Sequence, residues 1–581
     1  MRKYSGYIKK YLRYFLLGPF FMILEACGEF ILPYINANII DIGAAERNIP
    51  YILQNGLLMV VISALMLITG VLGANFAIKG ASYLARDLRG EVFSKIQKLS
   101  FSNIDDFSTG SLITRLTNDV TQIQGFAQTM LRGVFRSPVM LIGALIMSFV
   151  LNPSLALVVF AVVPFLGFAI FLIIKTASPR YTAMQKQLDT LNSNVGETVT
   201  NERVIKSFVR EDYENKKFSG ISDVLKEKSI SALKMMLLLQ PVSALAVNGT
   251  TLAVVWFAGN QIVAGDMELG TLAAFITYLT QILNGLNMLA NIILQGSRAA
   301  ASDKRIFEVL NAEIALTDDK ASEKTKLVKK GEIEFQNVYF KYFENNEEYV
   351  LKDINLKIEA GSTVGIIGST GSGKSTLVSL IPRLYDVTKG AVLVDGTDVR
   401  EMSLFNLREG ISTVLQNNIL FSGTVRENLR WGNEDASEDE IRKAAKTACI
   451  DDYFMSLPEG YDTELGRSGA NLSGGQKQRL CIARALLKQP KIIILDDSTS
   501  AVDTATEAGI RKALAEDLSE VTKLIIAQRI TSVIEADKII VMDGGRVAGC
   551  GKHAELIESC PEYREMYYSQ KDAESEVKCN G

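Results

Sequence analysis

Histidine is almost absent: His553 is the only one in 581 residues, and the six cysteines, Cys27, Cys449, Cys481, Cys550, Cys560 and Cys579, are scattered without a CxxC pair. Such a set indicates neither a zinc site nor a disulfide framework. It agrees with a soluble part held in the reducing cytosol. An excess of charge of one sign is missing too. With 62 Lys and Arg against 65 Asp and Glu, the formal net charge is −3, so nothing electrostatic argues for nucleic acid as a partner and none is expected. The chain is too long for one domain, and its mean hydropathy of +0.16 is high for a soluble protein.

What is present, first, is six long apolar runs, at residues 14–40, 51–78, 126–151, 153–174, 233–263 and 269–294. Each reaches the roughly 20 residues that a helix needs to cross about 30 Å of hydrocarbon. They are apolar nearly all round, unlike the helices of a soluble bundle. Arg2, Lys3, Lys9, Lys10 and Arg13 precede a first run too long for a cleavable signal. Lys and Arg crowd the connections between the second and third runs and between the fourth and fifth, whereas the other connections are short and nearly free of them. The positive-inside bias therefore predicts a multi-pass protein of the cell membrane with both termini and the two long loops cytoplasmic. Those loops keep helical spacing of apolar residues, so arms of some twenty residues reach about 30 Å beyond the membrane. Glu25 and Glu29 lie four apart on the first run, and Arg132 and Arg136 four apart on the third. Ionisable groups at membrane depth are candidates for function, and the reading favoured here is that they pair and hold the helices together.

Residues 1–300 thus read as a transmembrane domain, 301–330 as a polar linker, 331–570 as a second domain and 571–581 as a disordered tail. The second domain is organised around residues 364–377, VGIIGSTGSGKSTL, an apolar strand that enters a glycine turn and then a helix. This is a phosphate-binding loop. Gly368, Gly371 and Gly373 let successive N–H groups point at phosphate oxygens, Lys374 reaches the β and γ phosphates, and Ser375 offers its hydroxyl to Mg²⁺. The strand KIIILDD, residues 491–497, ends in two carboxylates, the first of which, Asp496, suits a Mg²⁺ shell. Between them LSGGQKQRLCIARAL, residues 472–486, opens an amphipathic helix with Ser473, Gly474 and Gly475, a second anion-receptive helix end.

Six spans followed by one cassette carrying this loop, LSGGQ and ILDD resemble a half-transporter of the ATP-binding cassette (ABC) exporter family over nearly the whole chain. The fold this implies is an all-α six-helix transmembrane domain with long cytoplasmic arms, followed by an α/β P-loop ATPase domain. ATP and Mg²⁺ are the implied cofactors. The resemblance assigns nucleotide contacts to Gly368, Ser369, Thr370, Gly371, Ser372, Gly373, Lys374, Ser375 and Thr376. It makes Tyr342 the aromatic that stacks on adenine and Gln416 the glutamine that meets Mg²⁺ and the attacking water. It places Ser473, Gly474, Gly475 and Gln476 over the ATP of an opposing cassette, and Ser500 to Asp503 at the dimer interface. The stretches 101–107 and 203–213 resemble its coupling helices.

Two positions depart from the family pattern. Where the family carries the glutamate that acts as general base, this chain has Asp497, and where it carries the switch histidine, this chain has Gln528. Aspartate is one methylene shorter, and glutamine can neither carry charge nor pass a proton. Arg467 also stands where the family commonly has glutamate. The sequence therefore resembles the degenerate-site subunit of heterodimeric multidrug-type exporters, paired with a second half-transporter that supplies Glu and His. The implied activity is ATP-driven export of an amphipathic drug, lipid or peptide-like substrate by alternating access. The alternatives are a slowly hydrolysing homodimer and an ATP-gated channel or regulatory membrane subunit.

Overall fold

A computed structural model describes residues 4–318, 321–343, 347–497 and 503–580. The chain divides into two units: Met1–Gln97 with Thr109–Ala312, and Lys98–Ser108 with Glu313–Gly581.

The first unit is all helix. Among the described residues five helical stretches are long and apolar enough to cross a membrane: Leu12–Ala44, Ile49–Lys98, Thr109–Leu151, Glu211–Ala264 and Leu269–Leu310. The run at 153–174, read from the sequence as the fourth span, lies in the 48-residue helix Pro153–Thr200, in which several side chains fall outside the description. Asn152 starts that helix, its side chain accepting from the N–H groups of Ser154 and Leu155, with Pro153 in the first turn where a missing N–H costs nothing. Ile49–Lys98 continues well past its apolar run, and so does Pro153–Thr200, which packs along Glu211–Leu237 where Lys228 donates to Gln187 at 3.1 Å. These extensions are the predicted arms.

Of the four charges read at membrane depth, Arg136, Glu25 and Glu29 meet. Arg136 forms an ion pair with Glu29 and lies 3.5 Å from Glu25, so one guanidinium ties the third run to two successive turns of the first. The sequence shows the spacing on each helix but not that the two faces touch.

The second unit holds a six-stranded sheet in the order Arg546–Gly551, Lys538–Asp543, Thr363–Gly368, Thr522–Ile526, Ile492–Asp496, Ile411–Val414, parallel except for the pairing of the first two strands. Both faces are covered: Ile492, Ile494 and Leu524 enter one apolar core, Ile493, Leu495 and Ile525 the other. This is why IIILD reads as an unbroken apolar run rather than an alternating one. A four-stranded antiparallel sheet, Leu351–Ile358, Ile333–Phe340, Lys389–Val394 and Thr397–Asp398, packs on the core that holds Ile492, Ile494 and Leu524. The short helix Phe101–Phe107, started by Ser100 and Asn103 in a reciprocal cap, belongs to this unit, where the ring of Phe101 lies 6.2 Å from that of Tyr385.

Two boundaries differ from the sequence reading. The helix Leu269–Leu310 takes up the first part of the stretch read as linker. The last helix, Pro561–Asn580, takes in residues 571–580 of the stretch read as a disordered tail, whose Lys, Ala and Glu residues favour helix.

Candidate active site

The parallel strands bring the phosphate loop and the carboxylate strand to one edge. Thr522–Ile526 lies between Thr363–Gly368 and Ile492–Asp496, so Gly368 and Asp496 both stand at carboxyl ends of parallel strands, where open α/β sheets bind ligands. Gly368 has φ +152°, and a Cβ there would sit 2.2 Å from the carbonyl oxygen of Met542 and 2.7 Å from Ser372 Oγ. Gly368→Ala therefore lowers the stability of the ATPase domain by about 1–3 kcal/mol and weakens ATP binding; a thermal melt with and without nucleotide reads both. The loop closes on Gly373, φ +97°, which starts the helix Lys374–Ser379.

Lys374 Nζ donates to the carbonyls of Gly368 and Ser369 at 2.9 and 2.8 Å. Burial pushes its pKa below the usual lysine range, against the pull of Asp496 and Asp497. Ser375 Oγ donates to Asp496 at 3.0 Å. Asp496 is itself buried, which raises its pKa, and the bond from Ser375 works the other way. A hydroxyl and a carboxylate at this separation are a hard oxygen pair that fits Mg²⁺. Among the described residues no three His, Cys, Asp or Glu side chains converge to hold a metal. Mg²⁺ takes one or two protein oxygens and completes its shell with phosphates and water.

The second cluster forms around Asp497. Its backbone is left-handed, φ +48°, and is fixed from both sides: its N–H donates to Ile526 at 3.0 Å and its carbonyl accepts from Gln478 Nε2 at 3.2 Å. Its Oδ2 accepts from Gln528 Nε2 at 2.7 Å and from Gln416 Nε2 at 3.4 Å. The three positions that the sequence reading assigns to hydrolysis thus come together. That both amides fall on the same carboxylate oxygen is a feature the sequence reading does not reach. It also misses Gln478, which is 1% exposed; the only signal for it is a polar residue on the apolar side of the helix that LSGGQ opens.

Tyr342 stands beside the phosphate loop, its hydroxyl hydrogen-bonded to Thr376 at 2.9 Å and its ring edge-on to Phe340 and Tyr385. Ser473 caps the 14-residue helix Gly474–Leu487, accepting from the N–H of Gln476 while Gln476 Oε1 accepts from the N–H of Ser473. These bonds stay within the turn, and among the described residues none joins it to the phosphate loop of its own chain. Asp503 caps the helix Thr504–Asp517, accepting from Thr506 at 3.0 Å. Ser500 and its two successors lie outside the described residues, as does the Arg467 side chain. His553 bonds to Tyr563 at 2.6 Å.

Residues 15–286 match the family described as ABC transporter transmembrane region, and residues 351–500 match that described as ABC transporter. The chain is 37% identical to an uncharacterised ABC transporter ATP-binding protein, YfiB of Bacillus subtilis (strain 168), over all of both chains. It is 33% identical to an ATP-dependent lipid A-core flippase of Desulfotalea psychrophila (strain LSv54 / DSM 12343), covering 95% of this chain and 96% of that one. Among solved structures, a bacterial Atm1-family ABC exporter with ATP bound superposes with a TM-score of 0.81 at 27% identity, over 96% of this chain and 98% of that one.

Proposed function

This chain belongs to the ABC transporter family, an exporter-type transmembrane region continued by an ABC ATPase domain that binds ATP with Mg²⁺, and from that we propose that it works as the slow half of a heterodimeric exporter. The observation that carries this reading is the double occupation of Asp497 Oδ2 by Gln528 and Gln416. A general base must face the water it deprotonates. Here the carboxylate is short, and one of its two oxygens already accepts from two amides that cannot pass a proton on.

The phosphate loop and Lys374 hold the β and γ phosphates of ATP, and Tyr342 supports the adenine. Ser375 and Asp496 hold Mg²⁺, which when bound neutralises charge on the phosphate oxygens. Asp497 then turns ATP over slowly, so this site keeps its nucleotide between cycles. Ser473, Gly474, Gly475 and Gln476, whose reciprocal cap uses the N–H groups of Ser473 and Gln476 and leaves those of Gly474 and Gly475 outside it, cover the ATP of a partner half-transporter that supplies glutamate and histidine. Hydrolysis there resets alternating access in the membrane, with the ATPase domain and both termini cytoplasmic. The cargo is an amphipathic drug, lipid or peptide-like molecule, a reading supported by the similarity to a lipid flippase.

Paired base-removal experiments test the asymmetry. In the heterodimer, loss of the partner's catalytic glutamate lowers turnover by about 10²–10⁴-fold, while Asp497→Ala changes it by less than about threefold. Equal losses at the two positions would contradict the proposal.

A further inference from the structure

We propose that the C-terminal helix Pro561–Asn580 sets the position of Gln528, with Gln570 as the positioning residue. This rests on the proposed slow site and takes the Gln528 side chain, at the position of the family's switch histidine, to help retain the ATP held there. The carboxamide of Gln570 makes two bonds to the segment that leaves the strand Thr522–Ile526. Its Oε1 accepts from the N–H of Ile530 at 2.9 Å, and its Nε2 donates to the carbonyl of Gln528 at 2.9 Å. One side chain thus closes on both sides of Arg529 and satisfies a donor and an acceptor of a backbone that has just left the sheet. Arg511, on the helix Thr504–Asp517, holds the same segment by donating to the carbonyl of Thr531 at 2.5 Å. The Gln528 side chain then donates to Asp497 at 2.7 Å. An unbroken series of hydrogen bonds runs from the last helix to the carboxylate.

The helix is anchored well enough to act as a fixed support. Tyr563 is fully buried, its hydroxyl 2.6 Å from His553 Nδ1, and the His553 ring lies 5.1 Å from the ring of Tyr567. Tyr563, Tyr567 and Gln570 come one after another at spacings of four and three and so share one face. The single histidine of the chain, which has no part in the nucleotide chemistry, serves here to seat the helix. Gln570 never touches nucleotide; it acts through Gln528.

The test uses the full chain paired with its glutamate-bearing partner in lipid. Two quantities are measured: hydrogen exchange of a peptide covering Gln528 to Val533, and release of radiolabelled ATP after free nucleotide is removed. Gln570→Leu, which keeps the volume and loses both bonds, speeds exchange at Ile530 about tenfold. It speeds ATP release as much as Gln528→Ala does, and the double variant is no faster than either single one. Gln570→Glu, which keeps the acceptor and loses the donor, falls between wild type and Gln570→Leu. Tyr568→Ala, at an exposed position of the same helix, changes neither quantity. Faster exchange with unchanged release, when Gln528→Ala does alter release, would overturn the inference and leave the slow-site reading standing, as would additive effects in the double variant. No effect of Gln528→Ala on release would overturn both.

Discussion

Replacing Asp497 by glutamate together with Gln528 by histidine raises hydrolysis at this chain's own ATP site by about a hundredfold. The measurement is phosphate release from the paired complex after the partner's own glutamate has been removed, so that only this site reports. The size of the effect comes from the geometry around Asp497. Its Oδ2 accepts from both Gln528 and Gln416, so an incoming water meets a carboxylate that two amides already engage. Glutamate extends the carboxylate by one methylene, on a backbone already pinned by Ile526 and Gln478. Histidine at 528 removes the competing amide and adds a group that carries charge. Neither change suffices alone. With glutamate at 497 the Gln528 amide still competes for the carboxylate, and with histidine at 528 the base is still withdrawn. Each single variant therefore gains only a few fold, and the pair exceeds the product of the two.

The second large effect separates the two roles of this cassette. Gly474→Asp lowers turnover of the heterodimer by about 10²-fold or more, whereas Lys374→Ala lowers it only a few fold. Gly474 is in the first turn of the helix that Ser473 caps. A carboxylate there faces the positive end of the helix and repels the phosphate that this end receives. In the proposed assembly that phosphate belongs to the ATP of the fast site, so the damage falls on the partner. Lys374 serves the slow site, whose nucleotide seldom turns over. Steady-state hydrolysis by the two variant complexes, against wild type, checks the contrast; a larger loss from Lys374→Ala would reverse the assignment of fast and slow sites.

Much of the site is legible along the chain because its parts are contiguous. The apolar strand, glycine turn and helix of 364–377 are one local unit, and Asp496 ends an apolar run that a parallel sheet buries on both faces. Contacts set by strand order are not legible in this way. Gln416 and Gln528 reach Asp497 across 81 and 31 residues of sequence, and they meet because Thr522–Ile526 and Ile411–Val414 flank Ile492–Asp496 on either side. The same holds in the membrane region: spacing shows Glu25 with Glu29 and Arg132 with Arg136 on single helices, while only packing shows that Arg136 takes both carboxylates. The last helix escapes a sequence reading because its charged composition resembles a solvated tail, and its anchor, the bond between Tyr563 and His553, joins two side chains with no motif to mark them. At residue 528 the sequence shows a lack, that of a proton carrier; the bond that its amide makes to Asp497 instead depends on how two strands lie side by side.

In the proposed assembly this chain turns ATP over slowly and needs a partner's base. The most direct test is ATP turnover by the purified chain alone in lipid, against the same chain co-expressed with half-transporters that carry the catalytic glutamate. The expected turnover is robust only in the paired complex. Robust turnover by the chain alone would contradict this, showing Asp497 to be a competent base and the homodimer to be the working assembly.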